Sequence, residues 1–186
     1  MSRFNLVQPQ QAEGQTQELL DAVGKQLGRV PNLMKALANS PAALQSYLAF
    51  HGALGKGQLD LRTRERIALA IGEANACQYC VSAHTALGNR AGLDESEIAA
   101  AREGWSADPR GDAAVKFALA LMEHRGEATA AEFNALREAG FDDGQIVEIV
   151  VHVALNVLTN FIARSGQIDI DFPKVRLLGQ QEPVAA

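Results

Sequence analysis

A regular series of helix-start signals divides this chain of 186 residues into helical segments. Three segments match the capping box, in which two side chains three residues apart satisfy the free N–H groups of a helix start. Two more starts place a cap residue directly before a proline. The five signals are Asp94-x-x-Glu97, Thr129-x-x-Glu132, Asp142-x-x-Gln145, Ser40-Pro41 and Asp108-Pro109. A chain punctuated in this way is expected to fold as helices joined by short loops.

One segment, residues 146–153, is rich in β-branched residues and is compatible with a strand. Its apolar side chains nevertheless follow helical spacing, and a capping signal precedes them. The sequence has no second strand candidate that would pair with it. We therefore predict an all-α protein, a single-domain helical bundle of roughly eight helices. We expect a flexible N-terminal segment at 1–11, the helical domain at 12–168 and an extended C-terminal tail at 169–186.

Composition, charge and cysteine spacing limit the kinds of partner and the cellular compartment that we expect for this protein. The net charge of −5 leaves no basic surface, so we expect no nucleic-acid partner. Polar residues such as Glu148, His152 and Asn156 interrupt the most apolar segment, 146–162, so we expect no membrane span. The first eleven residues lack the apolar core of a signal peptide. Two cysteines three residues apart are not the disulfide framework of a secreted protein. We expect a cytoplasmic location.

The chemistry-bearing residues begin with Cys77 and Cys80, a Cys-x-x-Cys pair near the predicted start of a helix. Unpaired N–H groups and the positive end of the helix favour a thiolate there, and the spacing lets the two sulfurs form a disulfide. His84 follows Cys80 by four residues and shares its helix face. Its imidazole can accept a proton from a thiol or donate one to a leaving group. Tyr79 and Gln78 can add a hydrogen bond.

An acid one helix earlier, Glu65, falls on an apolar helix face. On a helical wheel Arg62, Arg66 and Glu73 gather on one side, as a solvated face should. Glu65 instead lies among Leu61, Ala68, Leu69 and Gly72. A partly desolvated carboxylate suits proton transfer. The alternative is a salt bridge to Arg62 or another basic side chain, and Arg64 also falls on an apolar face, beside Ile71.

Other polar residues have less specific interpretations. His152, Asn156 and Asn160 recur every four residues on the last helix, so they line a pocket, pair across a subunit interface or bond helix ends and loops. His51 and His124 are interpreted as ordinary histidines. Zinc bound by Cys77, Cys80, His84 and Glu65 is an alternative, but structural zinc sites usually supply a second Cys or His pair. We therefore expect no metal.

The residues from 64 to 92 resemble the alkylhydroperoxidase AhpD-like branch of the carboxymuconolactone decarboxylase family. The shared pattern is a Glu, a Cys-x-x-Cys twelve positions later and a His four after the second Cys, as in Cys-Gln-Tyr-Cys-Val-Ser-Ala-His. The stretch His-Val-Ala-Leu-Asn-Val-Leu-Thr-Asn-Phe and the tail Ile-Asp-Phe-Pro are similar to peroxidase-related members. The resemblance implies a homo-oligomer, a trimer or hexamer, of AhpD-like all-α subunits.

The resemblance also implies an activity: reduction of a peroxide by the thiol pair, with no cofactor beyond a redox-active Cys77–Cys80 disulfide and with an external dithiol as reductant. It assigns peroxide attack to Cys80, resolution to Cys77 and proton relay to Glu65 and His84. Helix-end electrostatics instead favour Cys77 as the more acidic thiol. We follow the resemblance, because His84 is a specific partner for Cys80.

One departure from the family pattern is Tyr79, which stands where the best-known members have a histidine. A tyrosine does not shuttle protons at neutral pH as an imidazole does. Two other functions stay open. Decarboxylation of a γ-lactone, the reaction that names the family, needs no cysteine pair. A redox-sensing oligomeric module would change its assembly on oxidation without turnover.

Overall fold

The computed structural model describes residues 1–180; residues 181–186, the end of the predicted C-terminal tail, lie outside the described residues. Residues 1–180 form nine α-helices and no strand, which confirms the all-α prediction with one helix more than expected. A short 3₁₀ turn, Pro9–Gln11, precedes them. The helices are α1 (Gly14–Leu27), α2 (Asn32–Leu37), α3 (Pro41–Leu54), α4 (Leu61–Ala74), α5 (Gln78–Arg90), α6 (Glu95–Arg102), α7 (Pro109–Glu123), α8 (Ala130–Glu138) and α9 (Asp143–Ser165).

The capping signals act as the sequence predicts. All five cap side chains accept backbone hydrogen bonds from the first turn of their helix, and the three capping boxes form with both of their reciprocal bonds. The β-branched segment 146–153 lies within α9 and is helical. The extra helix, α2, spans only six residues after Pro31, too few for its periodicity to be recognised in the sequence.

Helix α4 is the centre of the molecule, in contact with α5, α6, α7 and α9. A helix surrounded on several sides must bury most of its circumference. Ile67, Leu69 and Ile71 on α4 are fully buried, Ile67 and Ile71 in one core cluster and Leu69 in another. Helix α5, which carries Cys80 and His84, packs directly along α4, so the two helices hold the chemistry-bearing residues in fixed register.

The prediction that Arg66 lies on a solvated face of α4 is wrong. Arg66 is 3% exposed, and its guanidinium binds Glu97 at 2.8 Å and Asp108 at 3.2 Å. Helix α6 and the start of α7 cover this side of α4, and their carboxylates compensate the buried charge. Arg62 also pairs with Glu97, so the predicted alternative of an Arg62–Glu65 salt bridge is not formed.

Helix α9 has two contrasting apolar faces. One packs into the core through Ile146, Ile149 and Val153. The other exposes a stripe of large side chains, namely Val147, Val150, Leu158 and Phe161. By length and composition α9 passes the test for a membrane-crossing helix, but half of its apolar window is buried inside the protein, as in a core helix.

The N-terminal residues meet the segment that directly follows α9 on the surface. Ser2 exchanges hydrogen bonds with Asp169 at 2.9 to 3.1 Å, and the Arg3 amide donates to the carbonyl of Gly166 at 2.6 Å. The described part of the tail after α9, residues 166–180, has no regular secondary structure. It runs past α5, where the Val175 amide donates to the Ser82 hydroxyl at 3.0 Å. The tail is therefore tied to the helix that carries the cysteines.

Candidate active site

A cavity of about 330 Å³ lies between α3, α4, α5 and α9. Its wall is mainly apolar, with contributions from Leu48, Leu61, Leu87, Leu155 and Phe172. This volume is at the lower end of the range for pockets that bind small organic ligands. The chemistry-bearing residues that line it include Glu65, Cys80 and His84, which the sequence pattern groups together, and Tyr79.

The two cysteines form a disulfide at the start of α5, with their Cα atoms 5.2 Å apart. Cys77 is the N-cap residue of α5, and its sulfur accepts a hydrogen bond from the Cys80 amide at 3.3 Å. Gly72 of α4 permits the close approach of the two helices, since a Cβ atom there would lie 3.3 Å from the side chain of Val81.

The two sulfurs have different surroundings. Cys80 lines the 330 Å³ cavity, whereas Cys77 lines a different, more open one together with Ala163 and Ile168. Both residues are almost fully buried, at 1% exposure for Cys77 and 3% for Cys80. A small molecule in the 330 Å³ cavity would therefore meet Cys80 and not Cys77.

Glu65 and His84 form a pair across the α4–α5 interface. The Nδ1 atom of His84 lies 2.8 Å from Oε2 of Glu65, and Glu65 is 8% exposed. The predicted burial of Glu65 is confirmed. A neutral imidazole that donates from Nδ1 to this carboxylate has Nε2 as a proton acceptor. The pair can therefore move a proton within the cavity that contains Cys80.

Tyr79, between the cysteines, is directed to the C-terminal tail. Its hydroxyl donates to Oδ1 of Asp171 at 2.9 Å and accepts from the Leu33 amide at 3.2 Å. Its ring meets Phe172 edge to face. Burial, with the Asp171 charge contributing, raises the pKa of Tyr79 above its ordinary value. The hydroxyl therefore stays protonated and acts as a fixed hydrogen-bonding group.

The polar residues of α9 divide between two of the predicted alternatives. His152, Asn156 and Thr159 line the cavity. Asn160 does not; its side-chain oxygen accepts a hydrogen bond from Asn75, the C-cap of α4, at 2.9 Å. Part of the stripe therefore belongs to the pocket, and part ties α9 to a helix end.

The cavity wall also includes Tyr47, His51 and Arg64, which were not assigned to the site from the sequence. Tyr47 and His51 are four residues apart on α3, and their rings lie 5.8 Å apart. Burial raises the pKa of Tyr47 to about 12, with the Glu65 carboxylate as second cause, and burial lowers the pKa of His51. The sequence signal that could have identified Tyr47 and His51 is their four-residue spacing, which puts both side chains on one face of α3.

The site residues do not assemble into a larger metal-ligand set. In the part of the chain that the structure describes, no three His, Cys, Asp or Glu side chains form a group that could hold a metal ion.

Part of this chain is similar in sequence to known proteins. The sequence model of the carboxymuconolactone decarboxylase family matches residues 41–124, which include Glu65, both cysteines and His84. An uncharacterized protein of Haemophilus influenzae is 47% identical over 45 residues. That match covers 24% of this chain and 40% of the relative, so the chain spans well under half of that protein.

Solved structures match over almost the whole chain. One is an uncharacterized peroxidase-related protein from Ralstonia eutropha, described as an alkylhydroperoxidase AhpD core. It matches with a TM-score of 0.82 and 28% identity, and the match covers 91% of this chain and 92% of the Ralstonia chain. A peroxidase-related protein from Silicibacter has a TM-score of 0.78 and 26% identity, with 90% and 91% covered. The debrominase Bmp8 bound to 2,3,4-tribromopyrrole shares the fold, with a TM-score of 0.75 and 18% identity over 92% and 94%.

The fold and the buried cysteine pair therefore define an AhpD-like helical protein. Residues 41–124 match the model of the carboxymuconolactone decarboxylase family, and the fold as a whole is similar to that of AhpD-like, peroxidase-related proteins. This similarity supports a peroxidase-related or decarboxylase-like function.

Proposed function

We propose that this protein is a thiol peroxidase of the cytoplasm that reduces organic hydroperoxides through Cys80 and Cys77. The observation that carries the proposal is the asymmetry of the cysteine pair. Of the two sulfurs, only that of Cys80 belongs to a residue lining the cavity that also contains the Glu65–His84 pair.

In the reduced protein, the Glu65–His84 pair accepts the proton of the Cys80 thiol. The thiolate attacks the terminal peroxide oxygen, the O–O bond breaks, and the alkoxide leaves as an alcohol when the pair returns the proton. Cys80 becomes a sulfenic acid. This step reduces the peroxide by two electrons and oxidises one sulfur by two.

Cys77 completes the cycle. Its thiolate attacks the sulfur of the Cys80 sulfenic acid, and hydroxide leaves as water with the proton that Cys77 gave up. The product is the Cys77–Cys80 disulfide, the state that the structure contains. An external dithiol then reduces this disulfide by thiol–disulfide exchange and restores both thiols. The whole cycle requires no cofactor and no metal.

Tyr79 is not part of the proposed relay. Its hydroxyl is bonded to Asp171 and Leu33, and its raised pKa opposes release of the proton. The proposed proton path therefore uses the carboxylate and imidazole alone. It accounts for a tyrosine at the position where the best-known family members have a histidine.

Thiol titration tests the proposal. The reduced wild-type protein should lose two thiols on addition of one equivalent of cumene hydroperoxide, with release of one equivalent of cumyl alcohol. Cys77→Ser should consume one equivalent once and stop, because its sulfenic acid cannot be resolved. Cys80→Ser should consume none. Full turnover by Cys80→Ser would refute the proposal.

The decarboxylase reaction remains a second candidate because the family match supports it. This reaction needs no thiol, so a Cys77→Ser/Cys80→Ser double variant separates the two functions. Under the peroxidase proposal the double variant is inactive towards peroxide and wild-type protein does not decarboxylate carboxymuconolactone. Decarboxylation by the double variant would support the second candidate instead.

We also propose that the protein is a homo-oligomer, a trimer or hexamer. The exposed apolar stripe of α9 supports this, since large contiguous apolar surfaces are uncommon on monomers and mark interaction sites. A second copy of the same chain is the simplest occupant, because most soluble oligomers are symmetric homo-oligomers. Light scattering coupled to gel filtration measures the molar mass directly, and the mass of one subunit would contradict the proposal.

A further inference from the structure

Arg64 is an unusual component of the cavity wall, because its guanidinium has no carboxylate partner within residues 1–180. Its Nε atom is buried without a hydrogen-bond partner, and its Nη1 atom makes one long contact, 3.4 Å, to the carbonyl of Leu54. Arg66, two positions later, also has a buried Nε atom without a partner, but two carboxylates compensate the charge of its guanidinium. Charged groups are seldom buried without such compensation.

His152 is the second incomplete group in the same cavity. It is 6% exposed, and its Nε2 atom is buried without a hydrogen-bond partner. Buried polar atoms normally have a partner, so this nitrogen on the cavity wall is free to bond to a ligand atom. The imidazole and the guanidinium are electrostatic neighbours, because the charge of Arg64 is the second cause, after burial, that lowers the pKa of His152.

The charge of the site limits the type of ligand. His152 is neutral at pH 7, because its pKa is lowered to about 4, so it can offer Nε2–H as a donor without adding charge. Arg64 supplies one positive charge, and the nearby Glu65 carboxylate disfavours a dianion. A carboxylate fits this combination, since it carries one negative charge and two oxygens that suit the guanidinium fork.

We infer that Arg64 and His152 form a subsite that binds the carboxylate of the substrate, so that the substrate class is an organic hydroperoxide that also carries a carboxylate. The inference deepens the proposed peroxidase function and rests on it. The apolar wall, including Leu48, Leu87 and Leu155, accommodates the hydrocarbon body. The peroxide group reacts at Cys80, and the carboxylate stays at Arg64.

Binding of unreactive analogues tests the subsite independently of turnover. The probes are 4-isopropylbenzoate and its neutral amide, 4-isopropylbenzamide, titrated calorimetrically into the oxidised protein. A charge-assisted pair predicts that the carboxylate binds roughly 10-fold to 100-fold more tightly than the amide. Arg64→Met should reduce this ratio to about threefold or less. Arg62→Met is the matched control, because Arg62 is an exposed arginine of the same helix outside the cavity, and it should leave the ratio unchanged.

His152→Phe is a second variant, for use if Arg64→Met does not fold. It should also lower the ratio of carboxylate to amide affinity. Turnover then uses cumene hydroperoxide and its 4-carboxy derivative, and wild-type kcat/KM should favour the carboxylated peroxide, mainly through KM. Equal binding of benzoate and benzamide by the wild-type protein would overturn the subsite, even if both peroxides were reduced. Selective benzoate binding without turnover of either peroxide would keep the subsite and refute the peroxidase proposal.

Discussion

The attachment of the C-terminal tail is the first contact that we propose to test. One carboxylate, that of Asp171, joins three parts of the molecule. It accepts from the Tyr79 hydroxyl at 2.9 Å, accepts from the Asn32 amide at the start of α2 at 3.0 Å, and lies 3.5 Å from the Arg29 guanidinium. Its neighbour Phe172 stacks against Arg29 and lines the cavity. Asp171→Ala removes all of the carboxylate contacts together.

The expected cost follows from these contacts. Each hydrogen bond to a charged group contributes about 1.5 kcal/mol at the low end of the measured range. The Arg29 ion pair is partly exposed and adds about 0.5 kcal/mol at most. The free energy of unfolding should therefore fall by about 3 kcal/mol. For a chain of this length the melting temperature should fall by roughly 6 to 12 °C.

Thermal unfolding followed by circular dichroism measures this change. Asp171→Asn is the matched control, because it keeps the size and one acceptor oxygen, and it should lose about 1 kcal/mol. Combining Asp171→Ala with Tyr79→Phe tests the contact itself, since the two losses should be less than additive by about 1 kcal/mol. A melting temperature of Asp171→Ala within about 2 °C of wild type would refute the reasoning.

Three further predictions concern titration, catalysis and a buried charge. The pKa of His152 is about 6.5 in the unfolded chain but about 4 in the folded protein, so the unfolded state binds the proton first as the pH falls. The free energy of unfolding, measured in urea, should therefore decrease by roughly 3 kcal/mol between pH 7 and pH 4. His152→Gln should lack this decrease. Glu65→Gln should slow peroxide reduction about 100-fold in stopped-flow assays, and a change below twofold would contradict the relay. Arg66→Met should cost about 2 kcal/mol in urea unfolding, against about 0.5 kcal/mol or less for Arg62→Met.

Local signals made the helices predictable. A capping residue and its partner lie three positions apart, so Asp94, Thr129 and Asp142 define helix starts without any tertiary information. The acid on an apolar face, Glu65, was recognised in the same way, because helical spacing alone places it among small and apolar residues. Its partner His84 is also set by local spacing, from Cys80.

Tertiary contacts decide what local spacing does not. The wheel of α4 placed Arg66 in solvent because it contains no information about α6 and α7, whose carboxylates bury it. Tyr79 is bonded to Asp171, 92 positions away, so its role in fixing the tail is invisible in the Cys-x-x-Cys motif. His51 belongs to the cavity only because α3 packs against α9. The thiol pair can be recognised from the sequence alone, whereas the cavity can be recognised only in the folded structure.

The central claim is that Cys80, and not Cys77, meets the peroxide. The most direct measurement is mass spectrometry of the reduced single-cysteine variants after one equivalent of cumene hydroperoxide, with dimedone present to trap sulfenic acid. The account predicts a dimedone adduct on Cys80 in Cys77→Ser and none on Cys77 in Cys80→Ser. An adduct on Cys77 at a comparable rate would contradict it.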